Sequence, residues 1–343
     1  MCLIVRRRPL RSRTEPVASI EYQGRRLELA PGETVLDGLL AAGVDAPHSC
    51  RSGHCRTCVA RALDVAPPAG SQEGLKDSWR ELGLFLTCRA VPTEDMRIAA
   101  TDDLGLEVGA TVTAVERLSH DVVRLRLETD EPFEHRGGQF VTLVRVDGLA
   151  RSYSTANVPG RDGFIELHVR EIANGAMSGW IARELKPGGR VAVRGPEGEC
   201  FYVHGRPEQP LLLVGTGTGL APLFAILQEA LAHAHSGRIV LLQGAVDERG
   251  LYLVDELRAL AKLHPNFEYV RCLLRGEAQE GIEIGAIDAI LRARIPALRG
   301  WRAYLCGNPE LVFDLRKKVF LGGANSKEIH ADAFVMKAPA LAR

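Results

Sequence analysis

The chain has 343 residues, of which 46% are hydrophobic and 25% charged, a profile of globular protein. Its length points to two or three domains rather than one core. Its 43 basic and 43 acidic residues cancel, so the charge gives no support for a nucleic-acid partner. No apolar run reaches the roughly 18 residues of a transmembrane helix, so no membrane partner is expected.

The first residues, Met1-Cys-Leu-Ile-Val-Arg-Arg-Arg8, place charge after a very short apolar stretch, the reverse of a secretory signal. Residues 1–16 therefore read as a basic, flexible leader. From residue 17, Val17–Tyr22 and Arg25–Leu29 read as a strand pair turning at Gln23-Gly24. Thr34 then sits as N-cap before a short helix from Val35 to Ala42, with Gly43 as its stop.

The next run is Ser49-Cys-Arg-Ser-Gly-His-Cys-Arg-Thr-Cys58, and Cys88 follows later in the chain. Cys50, Cys55, Cys58 and Cys88 show the C-x4-C-x2-C…C spacing of a plant-type [2Fe–2S] site. Gly53 allows backbone conformations closed to other residues, so nearby N–H groups can turn toward the sulfides. Ser49, Ser52 and Thr57 are small polar neighbours suited to tuning the potential. A structural zinc site is the alternative, but zinc ligands usually come in C-x2-C pairs and Cys88 has no such partner. Eight cysteines, four of them in this pattern, favour a reducing cytoplasm over a disulfide scaffold.

Thr101-Asp-Asp-Leu-Gly105 reads as a polar hinge. Beyond it, Ala110–Val115, Val122–Leu127, Phe140–Val144 and Phe164–Val169 alternate with period two, which predicts an antiparallel barrel over residues 101–208. From residue 209 the rhythm changes. Leu211–Val214, Ile239–Leu242, Phe267–Val270 and Ala303–Leu305 are strand candidates separated by helical stretches, which predicts a parallel α/β unit over 209–343. Residues 17–100 complete the expected division. Gly215-Thr216-Gly217-Thr218-Gly219-Leu-Ala-Pro222 lies between the first of these strands and a helix expected over Leu223–His235, a strand–turn–helix phosphate cradle.

These motifs carry a resemblance. The first unit resembles the β-grasp fold of plant-type ferredoxins. Arg151-Ser-Tyr-Ser154 is similar to the R-x-Y-[ST] flavin signature of the ferredoxin–NADP reductase superfamily. The resemblance implies that Arg151 pairs with pyrophosphate, Tyr153 lies against the isoalloxazine and Ser154 hydrogen-bonds near the hydride-accepting nitrogen. Gly175-Ala-Met177-Ser178, leading into Gly179-Trp-Ile-Ala-Arg-Glu-Leu, resembles the family's second flavin motif at a helix N-terminus. His168 and Arg170 stand on a strand that borders the flavin in that family. The Gly215–Pro222 loop matches the family's nicotinamide-nucleotide loop. Cys306-Gly307-Asn-Pro309 resembles its nicotinamide-lining C-G-x-P element, and Phe334 its late aromatic over the flavin.

The order of units resembles the reductase components of multicomponent oxygenases, including aromatic-ring dioxygenase reductases and those of soluble di-iron monooxygenases, over about residues 17–335. The expected fold is thus multidomain α+β: a β-grasp ferredoxin, a six-stranded antiparallel β-barrel for FAD and a C-terminal parallel α/β NAD domain. The implied activity is transfer from NADH through FAD and the cluster, as single electrons, to an oxygenase component or a separate ferredoxin. Tyr153, Ser154 and Cys306 are the expected catalytic residues. Asp247 and Glu248 stand where an NADP-user needs positive charge, with Val246 about where an arginine is common, so NADH is the expected donor and Arg249 the counter-indication. Arg56 departs from the family pattern of a small residue after the second cysteine. Two other readings use the same modules: a reductase for a nucleotide-sugar deoxygenation enzyme, and a non-catalytic redox adaptor.

Overall fold

The computed structural model describes residues 18–48, 50–53, 56–100 and 106–334. The expected leader, Ser49, Cys55 and the 101–105 hinge lie outside the described residues. The chain divides into two compact units, Met1–Asp103 and Leu104–Arg343.

In the first unit, β1 (Ala18–Tyr22) and β2 (Arg25–Leu29) form an antiparallel hairpin. Gln23 and Gly24 turn it with φ of 49° and 70°, the doubly left-handed geometry that matches strand twist. Helix α1 (Val35–Ala41) follows, with the Thr34 hydroxyl accepting the Asp37 N–H at 3.2 Å. Its residues Val35, Leu36 and Leu39 are buried with Ile20, Phe85 and Ile98 in one core. Strand β3 (Val59–Ala62), helix α2 (Asp77–Glu81), β4 (Leu84–Leu86) and β5 (Met96–Ala100) complete the unit. The five-stranded sheet has the order β2-β1-β5-β3-β4, with β1 and β5 parallel and the other pairs antiparallel.

The second unit opens with β6 (Leu106–Arg117), β7 (Val122–Thr129), β8 (Phe140–Val144), β9 (Ala150–Ser154), the short helix α3 (Pro159–Asp162), β10 (Ile165–Arg170), helix α4 (Ala176–Arg183) and β11 (Arg190–Glu197). The six strands form an antiparallel sheet in the order β10-β7-β6-β11-β8-β9. An antiparallel bridge between Thr155 and Leu167 brings its two edges together. Leu125, Leu127, Val141, Leu143, Leu167 and Val193 fill its interior.

Two of these strands are absent from the sequence reading. Arg151-Ser-Tyr-Ser154 is itself part of strand β9, because its backbone pairs with β8 from Phe140↔Ser154 to Val144↔Ala150. Strand β11 escapes because Arg194, Gly195 and Pro196 interrupt its apolar alternation. Helix α4 begins at Ala176, so Met177 and Ser178 are in its first turn rather than before it.

The unit continues with β12 (Leu211–Thr216), α5 (Leu220–Ala232), β13 (Ile239–Ala245), α6 (Val254–Leu263), β14 (Phe267–Leu273), β15 (Ile282–Ile284), α7 (Ile287–Arg294), β16 (Arg302–Gly307), α8 (Pro309–Leu321) and β17 (Ile329–Ala333). All six strands are parallel, in the order β15-β14-β13-β12-β16-β17. Successive strand residues face opposite layers. Leu212, Val214, Val240 and Leu242 pack with Ile290, Leu291 and Leu315 of α7 and α8. Leu211, Leu213, Ile239 and Leu241 pack with Leu223, Ile226 and Leu257 of α5 and α6. Burial on both faces explains why these strands read as unbroken apolar runs. Helix α5 starts three residues before the expected Leu223. Among the described residues no helix is long and apolar enough to cross a membrane.

Candidate functional site

Three of the four expected cluster cysteines are described, and none of the three is in a disulfide. The Thr87 backbone N–H and hydroxyl both donate to the Cys58 carbonyl, at 2.9 and 3.0 Å. That pair of bonds fastens the start of β3 beside the Thr87–Arg89 turn that carries Cys88. Burial, a hydrogen bond with Cys58 and the nearby Cys58 and Cys50 sulfurs push the Cys88 thiol up to about 11, while the Gly53 N–H pulls it down. Burial and the neighbouring sulfurs therefore disfavour thiolate charge at Cys88, a cost that a bound metal ion offsets.

Gly53 holds φ +83°, and a Cβ there would lie 2.6 Å from Arg89 Cδ. The Ser52 N–H donates to Cys50 Sγ at 3.4 Å. Converging sulfurs with backbone N–H groups turned toward them fit an iron–sulfur cluster. Arg56 is exposed and donates to the Gly74 carbonyl at 3.0 Å.

In the second unit, strand ends bring distant residues together. The Ser154 hydroxyl, at the end of β9, donates to Asp332 Oδ2 on β17 at 2.9 Å. Asp332 pairs in register with Cys306 of β16. Burial raises the Asp332 carboxyl, with the Ser154 hydrogen bond pulling the other way. Cys306 is buried, with its sulfur 3.4 Å from that of Cys200. Burial, then the Cys200 contact, push its thiol well above the ordinary range, so it presents a neutral, soft surface. Asp332 and Cys200 are the members of this group that sequence reading missed. Asp332 lies in the Ile329–Phe334 run already noted for its aromatic, but nothing local marks a partner 178 positions away.

The nucleotide loop is shaped by close approach. A Cβ on Gly219 would overlap the Cys306 carbonyl oxygen, and one on Gly307 would lie 2.6 Å from the Thr216 carbonyl oxygen. Only glycines let the turn after β12 lie against the end of β16. Gly215 precedes the turn, Gly217–Gly219 form a 3-10 turn that includes Thr218, and α5 follows. The Thr216 hydroxyl accepts the Asn308 N–H at 3.4 Å. Asn308 in turn caps α8 by accepting the Leu311 N–H at 3.1 Å, with Pro309 in the first turn.

The flavin candidates divide. Arg151 is exposed, and its one hydrogen bond among the described residues is to the Ala150 carbonyl at 2.7 Å, which leaves the guanidinium available to an anion. Tyr153 is half-buried, and burial raises its phenol. Gly175 is the N-cap of α4 without a side-chain cap, and Ser178 Oγ accepts the Ile172 N–H at 3.1 Å. The first-turn N–H groups of α4 have no intrahelical acceptor. A spare guanidinium with uncapped helix donors suits a pyrophosphate. Phe334, half-buried after β17, donates its backbone N–H to the Gly307 carbonyl at 2.9 Å.

His168 lies on β10, the strand that ends at Arg170. Its side chain is fully buried and both ring nitrogens are engaged, with Glu166 Oε1 at 3.0 Å and the Tyr252 hydroxyl at 3.2 Å. Burial lowers its pKa against the pull of Glu166. Burial opposes ionisation of Glu166, but the hydrogen bond and charge interaction with His168, then the Arg126 and Arg124 cations at 2.8 and 3.3 Å, bring the carboxyl down to about 2. The group links β10 to the segment before α6. Arg170 is exposed and pairs with Asp121 at 2.8 Å, and a Cβ added to Gly217 would lie 3.7 Å from its Nη1. Asp247 Oδ1 accepts the Arg249 N–H at 3.0 Å and caps the short turn Glu248–Gly250 after β13. Val246 is 55% exposed.

Three family models match this chain: a 2Fe-2S iron–sulfur cluster binding domain over residues 19–93, an oxidoreductase FAD-binding domain over 109–202 and an oxidoreductase NAD-binding domain over 213–317. The chain is an oxidoreductase of FAD, a nicotinamide nucleotide and a [2Fe–2S] cluster. The reductase component of the naphthalene 1,2-dioxygenase/salicylate 5-hydroxylase systems of a Ralstonia species is 34% identical, over 92% of this chain and 97% of that protein. The reductase subunit of an aromatic O-demethylase from an Amycolatopsis species is 33% identical, over 92% and 98%. A solved Amycolatopsis cytochrome P450 reductase, GcoB, superposes with a TM-score of 0.64 at 33% identity, over 92% of this chain and 98% of that one. The chain belongs to the family of iron–sulfur flavoprotein reductase components of multicomponent oxygenase systems.

Proposed function

We propose that this reductase takes a hydride from NADH and passes single electrons to an oxygenase component, or to a separate ferredoxin, of an aromatic-compound oxygenase system in the cytoplasm. In this reading residues 17–100 are a β-grasp ferredoxin module, 101–208 a flavin barrel and 209–343 a nicotinamide module, a division supported by the spans of the three matching families. The observation that carries the reading is the meeting of Ser154, Asp332 and Cys306 at the strand ends beside the glycine loop. A redox adaptor without catalysis has no use for such a site.

When bound, the flavin accepts a hydride and releases its electrons singly, and the cluster carries them one at a time. Cys50, Cys55, Cys58 and Cys88 would hold the cluster. Arg151 and the first turn of α4, with Gly175, Met177 and Ser178, would hold the flavin pyrophosphate, and Tyr153, Ser154 and Phe334 would border its ring. Thr216, Gly217 and Thr218 would cradle the nicotinamide nucleotide, with Gly307 and Pro309 shaping the adjoining edge. Half-buried Asp332 fixes the Ser154 hydroxyl as a donor held to one direction. Neutral Cys306 offers the nicotinamide a surface without charge or tightly bound water. Asp247 favours ribose hydroxyls over a 2′-phosphate.

The test is anaerobic. Purified protein is assayed for iron, sulfide and flavin, and NADH is added before electron paramagnetic resonance. About two irons per chain, one flavin and a reduced-cluster signal are expected. Stoichiometric zinc in place of iron, or a cluster that NADH leaves oxidised, would refute the reading.

A further inference from the structure

His204 lies on the connection between β11 and β12, while Glu229 stands on α5 and His233 caps its C-terminus. One ligating atom from each lies within 4.8 Å of the others, the one such group of three among the described residues. The two imidazole centroids are 4.5 Å apart. We propose that His204, Glu229 and His233 form a binding site for a zinc-class divalent ion, separate from the cluster and the hydride site.

Each ligand is prepared by its neighbours. The His233 Nδ1–H donates to the Glu229 backbone carbonyl at 2.9 Å. A carbonyl only accepts, so this bond fixes the tautomer that leaves Nε2 with its lone pair, the arrangement in which metal-binding histidines are usually held. Glu229 is only 5% exposed, and its two oxygens have different duties. Oε1 accepts from Arg136 at 3.1 Å, whereas Oε2 is buried without a hydrogen-bond partner. A buried carboxylate oxygen with no donor is costly, and a cation removes that cost.

The Arg136 guanidinium lies against the site and is also anchored outside it. It donates to the Tyr202 carbonyl at 2.7 Å and lies 4.6 Å over the Phe201 ring. It also reaches His204 Nδ1 at 3.1 Å. Coordination by His204 Nε2 puts the ring proton on Nδ1, where it would face another donor, so this contact gives way while the Tyr202 and Glu229 contacts stay. Arg136 then orients the carboxylate from behind. Two imidazoles and one carboxylate, with a further position open to water, are a zinc-type donor set. The ion would brace the connection leaving the first sheet against the C-terminal end of α5, whose N-terminus follows the nucleotide loop.

The test uses flavin- and cluster-loaded protein dialysed against buffered zinc at micromolar free ion. One zinc per chain is expected, with a melting temperature that rises with zinc. His233→Ala alters an exposed residue and should weaken binding at least about tenfold, and Glu229→Gln, which can keep its bond to Arg136, should do the same. Zinc-edge absorption should show only nitrogen and oxygen neighbours at about 2.0–2.1 Å, against about 2.3 Å for sulfur. No retained zinc, unchanged affinity in both variants, or sulfur in the zinc shell would each overturn the proposal.

Discussion

In the N-terminal unit three of the expected cluster cysteines lie close in sequence, Cys50 to Cys58, and Cys88 is fastened beside Cys58 through the Thr87–Cys58 hydrogen bonds. In the second unit Ser154 meets Asp332 across 178 positions, and Cys306 joins them from a third strand. A site written in spacing stands or falls with its loop. A site written in topology depends on every strand end that delivers a residue, so damage to any of them spreads. The two units should accordingly respond to mutation in different ways.

The largest effect is expected at Gly219, where a methyl group would overlap backbone that cannot yield cheaply. Gly219→Ala should lower NADH-dependent flavin reduction by roughly 100-fold, the cost of about 1 Å of misplacement, and destabilise the second unit by about 1–3 kcal/mol. Stopped-flow absorbance and thermal melting check both. A near-normal rate would mean that the loop and the end of β16 are less tightly joined than the contact implies.

Next come the residues that meet at the strand ends. Ser154→Ala and Asp332→Ala should each slow hydride transfer by the order of 100-fold, and the double variant should be little worse than either, because the two act as one unit. Independent, multiplying losses would separate them. Cofactor choice should move less. NADH is expected to give the higher kcat/KM, and Val246→Arg with Asp247→Ser should narrow the ratio by about tenfold, or roughly 1.4 kcal/mol. Equal values for both nucleotides in the wild type would shift attention to Arg249.

The smallest effect concerns stability. Burial raises the Asp332 carboxyl, so the folded state binds its proton more tightly than the unfolded chain. Stability from this group is therefore present at low pH and falls as pH rises through the folded value. Asp332→Asn should raise the melting temperature at neutral pH, with a gain that shrinks toward the acid range, while hydride transfer slows. A lower melting temperature at neutral pH would mean that the ionised carboxylate has compensation beyond the Ser154 hydroxyl.

The same contrast decides what could be read from the sequence. The hairpin at Gln23-Gly24, the Thr34 cap and the apolar strands of the parallel sheet are local patterns, and they were legible. Strands β9, β11, β15 and β17 were not. The first reads Ala-Arg-Ser-Tyr-Ser without an apolar alternation, the second is broken by Arg194-Gly195-Pro196, the third has only three residues, and the last reads Ile-His-Ala-Asp-Ala. The motifs at Arg151, Gly175, Gly215 and Cys306 were visible as strings, but the Ser154–Asp332 bond exists only once two sheets are built. His168 shows the converse. It lay close to a motif in sequence, yet its ring is committed to Glu166 and Tyr252.

The most direct test of this division of labour is anaerobic single-turnover stopped-flow on Cys58→Ala beside the wild type. Flavin reduction by NADH should keep its rate within about twofold, since the cysteine belongs to a separate compact unit. Electrons should then stop at the flavin, with no cluster signal and no reduction of a protein acceptor. Loss of flavin reduction along with the cluster would contradict the separation of the two sites.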